Sequence, residues 1–195
     1  MVQTLEEKTE IKPEGQLIQE ARQGNPRSFS LLVEAHQEKI IHAALSFLGN
    51  MEDAKDAAQE AFIKAHQHLH SFNEKSRFST WLYRILVNHC KDFIRKKKNR
   101  QTDELNAETL YSTAPDARGE LISREIEKEI HRALEKLPFQ QRGVFTLRYL
   151  EGLKLDEIAE SLNLSTGAVK AHLWQAGQKM RQTLAHHFSG QEGVV

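Results

Sequence analysis

Apolar residues along this chain fall at helical spacing, in segments separated by glycine, asparagine and proline. A short helix is predicted over 14–23, with Leu17, Ile18 and Ala21 facing inward and Gly24 ending it. Asn25-Pro26 restarts the chain, a capping residue followed by proline at the first helical position. The second helix runs to about Leu48, with Phe29, Leu32, Val33, His36, Ile40, Ala44 and Leu48 as its inner stripe, and Gly49-Asn50 closes it. A third covers 52–70, where Ala54, Ala57, Ala58, Ala61 and Ala65 allow close packing beside Phe62 and Leu69. After a loop at 71–76 comes a fourth, 77–98, apolar at Phe78, Trp81, Leu82, Ile85, Leu86 and Phe93. All period is lost over 99–119, a polar stretch with Pro115 and Gly119. A helix over 120–136 carries Ile122, Ile126, Ile130, Ala133, Leu134 and Leu137 inward; Pro138 breaks it. The next, 139–150, buries Val144, Leu147 and Leu150 and closes at Gly152.

The stretch 153–182 has the most defined pattern. Leu155, Ile158, Ala159 and Leu162 lie on one face of a helix, and Val169, Leu173, Ala176 and Met180 on one face of another. Asn163 between them tolerates the left-handed conformation of a sharp turn, Leu164 can tuck between the helices, and Ser165 suits the N-cap of the second. Small Ala159 stands where two crossing helices approach. This is a helix-turn-helix pattern, with an ordinary helical hairpin as the plainer alternative. The whole chain therefore reads as all-α: two small helical domains, 14–98 and 120–188, joined by a flexible linker at 99–119. A disordered N-terminus, 1–13, and a tail, 189–195, flank them.

Composition changes this picture little. A chain of 195 residues with ordinary apolar content and 28% charged residues reads as soluble and globular. No apolar run is long enough to span a membrane, and the polar, acidic first residues do not form a signal peptide. Cys90 is the only cysteine, which excludes an intrachain disulfide and fits a reducing cytoplasm. The formal net charge is zero, but the charges are segregated along the chain.

Three clusters bear on chemistry. Glu52, Asp53, Asp56 and Glu60 make the start of the third helix acidic, either to suit the helix dipole or to form a docking surface. His66 and His70 share a helical face, with His68 between them, but further ligands and an HExxH pattern are lacking, so no metal and no cofactor are expected. On the fourth helix Arg77, Thr80, Arg84, Asn88, Lys91, Arg95 and Lys98 step along one face. Residues 77–100 hold eight Lys or Arg against one acid, Asp92. A basic stripe with an amide and nearby aromatics suits phosphates and unstacked bases; a solvated face is the alternative. On the last helix Thr166, Gly167, Lys170, Ala171, Trp174 and Gln178 lie away from the core stripe, and its N-terminal half would enter a major groove. Lys170 and Gln175 can reach phosphate or base edges, and Trp174 either touches sugar or a thymine methyl or covers the hairpin. Arg142, Arg148, Lys154 and Lys179 are candidate phosphate contacts around it.

With these residues in view, the chain resembles a small extracytoplasmic-function sigma factor of bacterial RNA polymerase, over roughly 15–188. DAKDAAQEAF, 53–62, resembles the core-binding block of sigma domain 2; FNEKSRFSTWLYRILVNHCKDFIRKK, 72–97, the block that melts and reads the −10 element; and 133–173 sigma domain 4, which reads the −35 element. The domain found between these in larger sigma factors is missing. The resemblance implies docking on the clamp helices of the polymerase's largest subunit through Asp53, Asp56, Gln59 and Glu60. It implies −10 contacts from Arg77, Thr80, Trp81, Arg84, Asn88, Lys91 and Arg95, with Asn88 at a flipped base and the loop Phe72–Phe78 forming its pocket. It implies −35 contacts from Ser165, Thr166, Lys170, Ala171, His172, Trp174, Gln175 and Lys179, and a contact of domain 4 with the flap of the second-largest subunit. Promoter DNA, duplex and melted, and an anti-sigma factor are the other implied partners. No catalysis belongs to the chain.

Several positions depart from the family pattern. Lys55 replaces a usual acid, Ala57-Ala58 replace bulkier residues, and Lys154 stands where a capping Ser is common. Ala171, His172, Gln175 and Gly177 stand where Ser or Arg are frequent, removing base contacts worth about 1–3 kcal/mol each. Weaker −35 binding or an unusual −35 sequence is expected. The competing readings are a stand-alone helix-turn-helix regulator, which has no need of the basic stripe, and a His-dependent metalloenzyme, which lacks a ligand cluster.

Overall fold

The computed structural model describes residues 12–101 and 129–188; expectations for 1–11, 102–128 and 189–195 lie outside the described residues. Every regular element among the described residues is helical: α1 Glu14–Arg22, α2 Pro26–Leu48, α3 Met51–His68, a 3-10 turn Leu69–Ser71, and α4 Phe78–Gln101. In the second half come α5 (129–135), α6 Phe139–Phe145, a π-helical turn Thr146–Leu150, α7 Leu155–Leu162 and α8 Thr166–Phe188. The all-α class with two helical domains is the one expected; α4 continues to Gln101 instead of ending at 98, because nothing in Asn99–Gln101 breaks a helix. Of the helix expected over 120–136, only 129–135 is described.

The caps follow from the residues at the breaks. Asn25 Oδ1 accepts from the Arg27 and Ser28 amides at 3.0 and 3.3 Å, and Pro26 opens α2. Gly49 takes φ +73° to end that helix, and Asn50 at once caps α3, accepting from the Glu52 and Asp53 amides at 2.8 and 3.0 Å. This back-to-back pair makes α2 and α3 antiparallel neighbours. The alanines of α3 (54, 57, 58, 61 and 65) are all buried, so its backbone lies close to α2 and α4. His36 is a boundary histidine, paired to Glu14 at 2.7 Å with its ring 5.4 Å from that of Phe78.

The two domains share one core. Phe47, 1% exposed, points out of the first domain into the second, with its ring centroid 5.1 Å from that of Phe139. It lies so close to Gly143 that a Cβ there would meet the ring at 3.1 Å and Leu162 at 3.2 Å. The Phe47 carbonyl accepts from Arg142 at 2.8 Å, the Thr80 carbonyl from the Ser161 hydroxyl at 3.2 Å, and Glu151 from the Tyr83 hydroxyl at 2.7 Å. Arg77 and Glu157 add an ion pair at 3.3 Å, exposed on the arginine side and so weak.

Three assignments are corrected here. Leu150 is 46% exposed, because the widened π-helical turn carries it off the face that a regular helix would have buried. Thr80 is fully buried under α7, so it does not belong to the solvent-facing stripe. Arg142 is no phosphate contact: its guanidinium donates to the carbonyls of Phe47, Glu135 and Leu137, tying the α5–α6 corner to α2.

Truncating Phe47→Ala should cost about 3–5 kcal/mol in urea unfolding, and a loss under about 1 kcal/mol would contradict a shared core. Glu151 gives a pH test. Burial raises its pKa, against the Tyr83 hydroxyl on α4 and His42 and Lys39 on α2, which favour the anion. Burial, and then Glu151 itself, also raise Tyr83, which stays a proton donor. A carboxyl raised in the native state stabilises most below its unfolded value, and that gain is lost as pH rises through the native value. Glu151→Gln should therefore be more stable than wild type at neutral pH, with the gap closing on acidification; a constant gap in urea midpoints would refute this.

Candidate nucleic-acid interface

The exposed side of α4 carries the basic stripe. Arg77, Arg84, Asn88, Lys91, Arg95 and Lys98 all face solvent, while Leu82, Tyr83, Leu86, Val87 and Cys90 fill the opposite side and are buried. Arg77 is paired with Glu157 at 3.3 Å and Arg95 with Asp92 at 3.1 Å, and Lys97, beside the stripe, with Asp53 at 3.1 Å. Trp81, half-buried, stands beside the stripe in an aromatic cluster, 5.1 Å from Phe72 and 5.8 Å from Phe78.

The loop ahead of α4 is built on α1. Phe72 is buried, and Glu74 takes φ +58°, a conformation that costs a residue with a Cβ. Arg22 reaches this loop from the last turn of α1: Nη1 pairs with Glu74 at 2.6 Å, Nε donates to the Leu69 carbonyl at 3.2 Å, and Nη2 donates to the Phe72 carbonyl. The sequence pattern did not single out Arg22, whose partners lie about fifty positions away along the chain.

On α3, Asp56, Gln59 and Glu60 are exposed, whereas Asp53 is half-buried and engaged with Lys97. Beside Gln59 runs an apolar groove between α2 and α3, lined by Phe29, Val33, Ile41, Phe62 and Ile63. Ile63, 43% exposed, was absent from the predicted core stripe and indeed is not core.

The hairpin has the geometry its sequence predicts. Asn163 is left-handed at φ 53° and ψ 51°, Leu164 is half-buried, and Ser165 Oγ accepts from the Ala168 amide at 3.2 Å to cap α8. Glu157 compensates for Lys154 at the start of α7 by accepting the Lys154 amide at 2.8 Å. Lys170, Ala171 and Lys179 face solvent, and Trp174 is 67% exposed, so it does not cover the hairpin. Thr166 leans on Asp156 at 3.4 Å, Gln175 accepts from Gln141 at 2.8 Å, and His172 has a buried Nδ1 without a partner. Thr166 and Gln175 are thus partly committed within the protein, whereas His172 is half-buried.

Among the described residues no group of three or more His, Cys, Asp or Glu is placed to hold a metal. His66 packs edge-on against Phe29 with ring centroids 4.7 Å apart. His89, unremarked in the sequence, approaches Lys64 at 3.1 Å, and burial, then Lys64, lower its pKa.

Comparison with known proteins decides the family. Residues 32–100 match Sigma-70 region 2 and residues 127–180 match Sigma-70, region 4. The chain is 36% identical to the ECF RNA polymerase sigma factor SigW of Bacillus subtilis (strain 168), across 86% of this chain and 94% of that protein. The chain belongs to the extracytoplasmic-function sigma factors of the sigma-70 family. Among solved structures it is similar to CnrH, in complex with the cytosolic domain of CnrY, at TM-score 0.68 and 26% identity over 89% of this chain and 97% of that one. It shares the fold of the sigma factor RpoE from Bartonella quintana, in complex with the anti-sigma factor NepR, at TM-score 0.71 and 21% identity over 82% and 98%. No helix among the described residues of this sigma factor is long and apolar enough to cross a membrane.

Cys90 lies inside the first domain of this sigma factor, and burial pushes its thiol up to about 12. Since only the thiolate is nucleophilic, iodoacetamide at pH 8 should modify native Cys90 at least about 100-fold more slowly than the unfolded chain. Comparable rates would show that the thiol is accessible.

Proposed function

We propose that this sigma factor binds core RNA polymerase through the exposed side of α3, melts and reads a −10 element with α4 and the loop before it, and reads a −35 duplex with α7 and α8. The observation that carries the reading is the solvent-facing stripe of Arg77, Arg84, Asn88 and Lys91 beside Trp81, in the same chain as a helix-turn-helix. Phosphates bind cations, and an unstacked base needs an aromatic surface and an amide edge. The first domain, 14–98, would be sigma domain 2 and 120–188 sigma domain 4. Asp56, Gln59 and Glu60, with the apolar groove beside them, would meet the clamp helices of the largest polymerase subunit; Asp53 would contribute through its pairing with Lys97.

At −10, Asn88 and Trp81 would hold the flipped base while Arg77, Arg84, Lys91 and Arg95 hold phosphates; Thr80, being buried, would act only by supporting them. At −35, Ser165, Thr166, Lys170, Ala171, His172, Trp174, Gln175 and Lys179 lie on or beside the N-terminal half of α8 that enters the groove. The flap of the second-largest subunit would meet the same domain. The chain works in the cytoplasm, catalyses nothing itself and is held in check by an anti-sigma factor. The anti-sigma partner in one solved relative supports that last assignment.

Purified protein should support initiation from genomic promoter fragments only when mixed with sigma-free core polymerase. Asn88→Ala should keep core affinity within about twofold and lower open-complex formation about tenfold, read by permanganate footprinting, as expected for a lost interaction worth about 1.4 kcal/mol. Unchanged footprints in that variant would remove Asn88 from the −10 site.

A further inference from the structure

We infer that Arg22 on α1 is a positioning residue for −10 recognition, setting the shape of the loop that encloses the flipped base without touching DNA. The inference rests on the assignment of that loop and α4 to the −10 element. Between the 3-10 turn ending at Ser71 and α4 beginning at Phe78, the loop's conformation is held by side chains. One guanidinium does most of this. Three of its nitrogens go to three places: Nε to the Leu69 carbonyl at 3.2 Å, Nη2 to the Phe72 carbonyl, and Nη1 to the Glu74 carboxylate at 2.6 Å. Its planar fork also lies 5.7 Å from the centroid of the Phe72 ring. Lysine, a point charge on a flexible stem, cannot make these directed contacts together.

The residue at 74 points the same way. Its backbone is left-handed at φ +58°, where Gly or Asn would be less strained. What Glu adds is a carboxylate, and both Arg22 and Gln19 Nε2 (2.6 Å) bond to the same oxygen of it. A strained residue kept in place by two partners on another helix marks a conformation held for use. Asn73 tightens the turn, accepting from the Lys75 amide at 3.2 Å.

The path from Arg22 to the reading residues is one of direct contacts. Phe72, under the guanidinium, packs edge-on against Phe78 (5.8 Å) and against Trp81 (5.1 Å), which stand in the first turn of α4. Releasing Phe72 frees the aromatic wall on which a base would stack. Loosening Glu74 frees the rim. The consequence is a loss of discrimination between bases rather than a loss of affinity for polymerase, since the α3 docking face is on another part of the domain.

The test uses the full chain with core polymerase and a promoter set carrying every single-base change in the −10 element. Arg22→Met keeps the aliphatic stem and removes the fork; Glu74→Gln keeps the backbone and removes the charge, and provides a variant that leaves the core untouched. Both should lower initiation at the preferred −10 sequence, Arg22→Met about tenfold, and bring the rates on preferred and substituted sequences closer together, with core affinity within about twofold. Arg22→Lys should recover the preference only in part. Amide exchange at 73–76 should speed up in both variants. An equal loss on every −10 sequence, with the preference ratio intact, would overturn the proposal, as would a matching loss of core affinity. If Asn88→Ala and Trp81→Ala change the −10 preference while Arg22→Met and Glu74→Gln do not, the Arg22 role alone is wrong. If none of the four does, the assignment of α4 falls and the Arg22 role with it.

Discussion

The arrangement of this sigma factor depends on the enclosure of α4. That helix is packed against α2 and α3 from its own domain and against α7 from the other, so Leu82, Tyr83, Leu86 and Cys90 are all removed from water. Burying side chains of that size contributes on the order of 1.5–3 kcal/mol each. The enclosure leaves a single open strip, and that strip is where the cations and Asn88 stand. A helix with a narrower buried face could have turned about its axis; this one cannot, so the direction in which its basic residues project is settled by packing.

The same packing joins the two domains. Phe47 fits into the second domain only because residue 143 has no side chain, and Arg142 closes the seam by taking a carbonyl from α2 and two from its own corner. Two polar groups buried in the seam are paired across it, Tyr83 with Glu151 and Ser161 with the Thr80 carbonyl, while the Thr80 and Thr146 hydroxyl oxygens are buried without a hydrogen bond. Such pairing offsets the desolvation of polar atoms and gives a definite register between the halves. In this arrangement the first turn of α4 and α7 lie directly on each other.

The loop before α4 obeys a different constraint. It gains little from apolar burial beyond Phe72, and its backbone is shaped by Arg22, Glu74 and Asn73. Arginine is suited to this because its donors are fixed in a plane while its stem can cross a helix surface. Elsewhere polar groups are more locally satisfied, as in the two asparagine caps and Ser165.

What the sequence determined by itself was local: the cap at Asn25, the break at Gly49-Asn50, the left-handed Asn163, the Ser165 cap, the buried alanines of α3 and the exposed cations of α4. Each is set by neighbours within about four residues, or by a helical period that repeats over several turns, so a single strand of letters carries it. The tertiary structure decided what depends on contacts distant along the chain. Phe47 and Thr80 look like ordinary helix positions until the second domain covers them, and Arg142 like a phosphate contact until its three carbonyls are seen. Leu150 followed the period, but the period itself changed where the helix widened to a π turn. Arg22 and Glu74 are separated by fifty-two positions. Nothing in either one's neighbourhood distinguishes a solvated charge from a clamp, because the difference lies in which backbone carbonyls the fold brings within reach of the guanidinium.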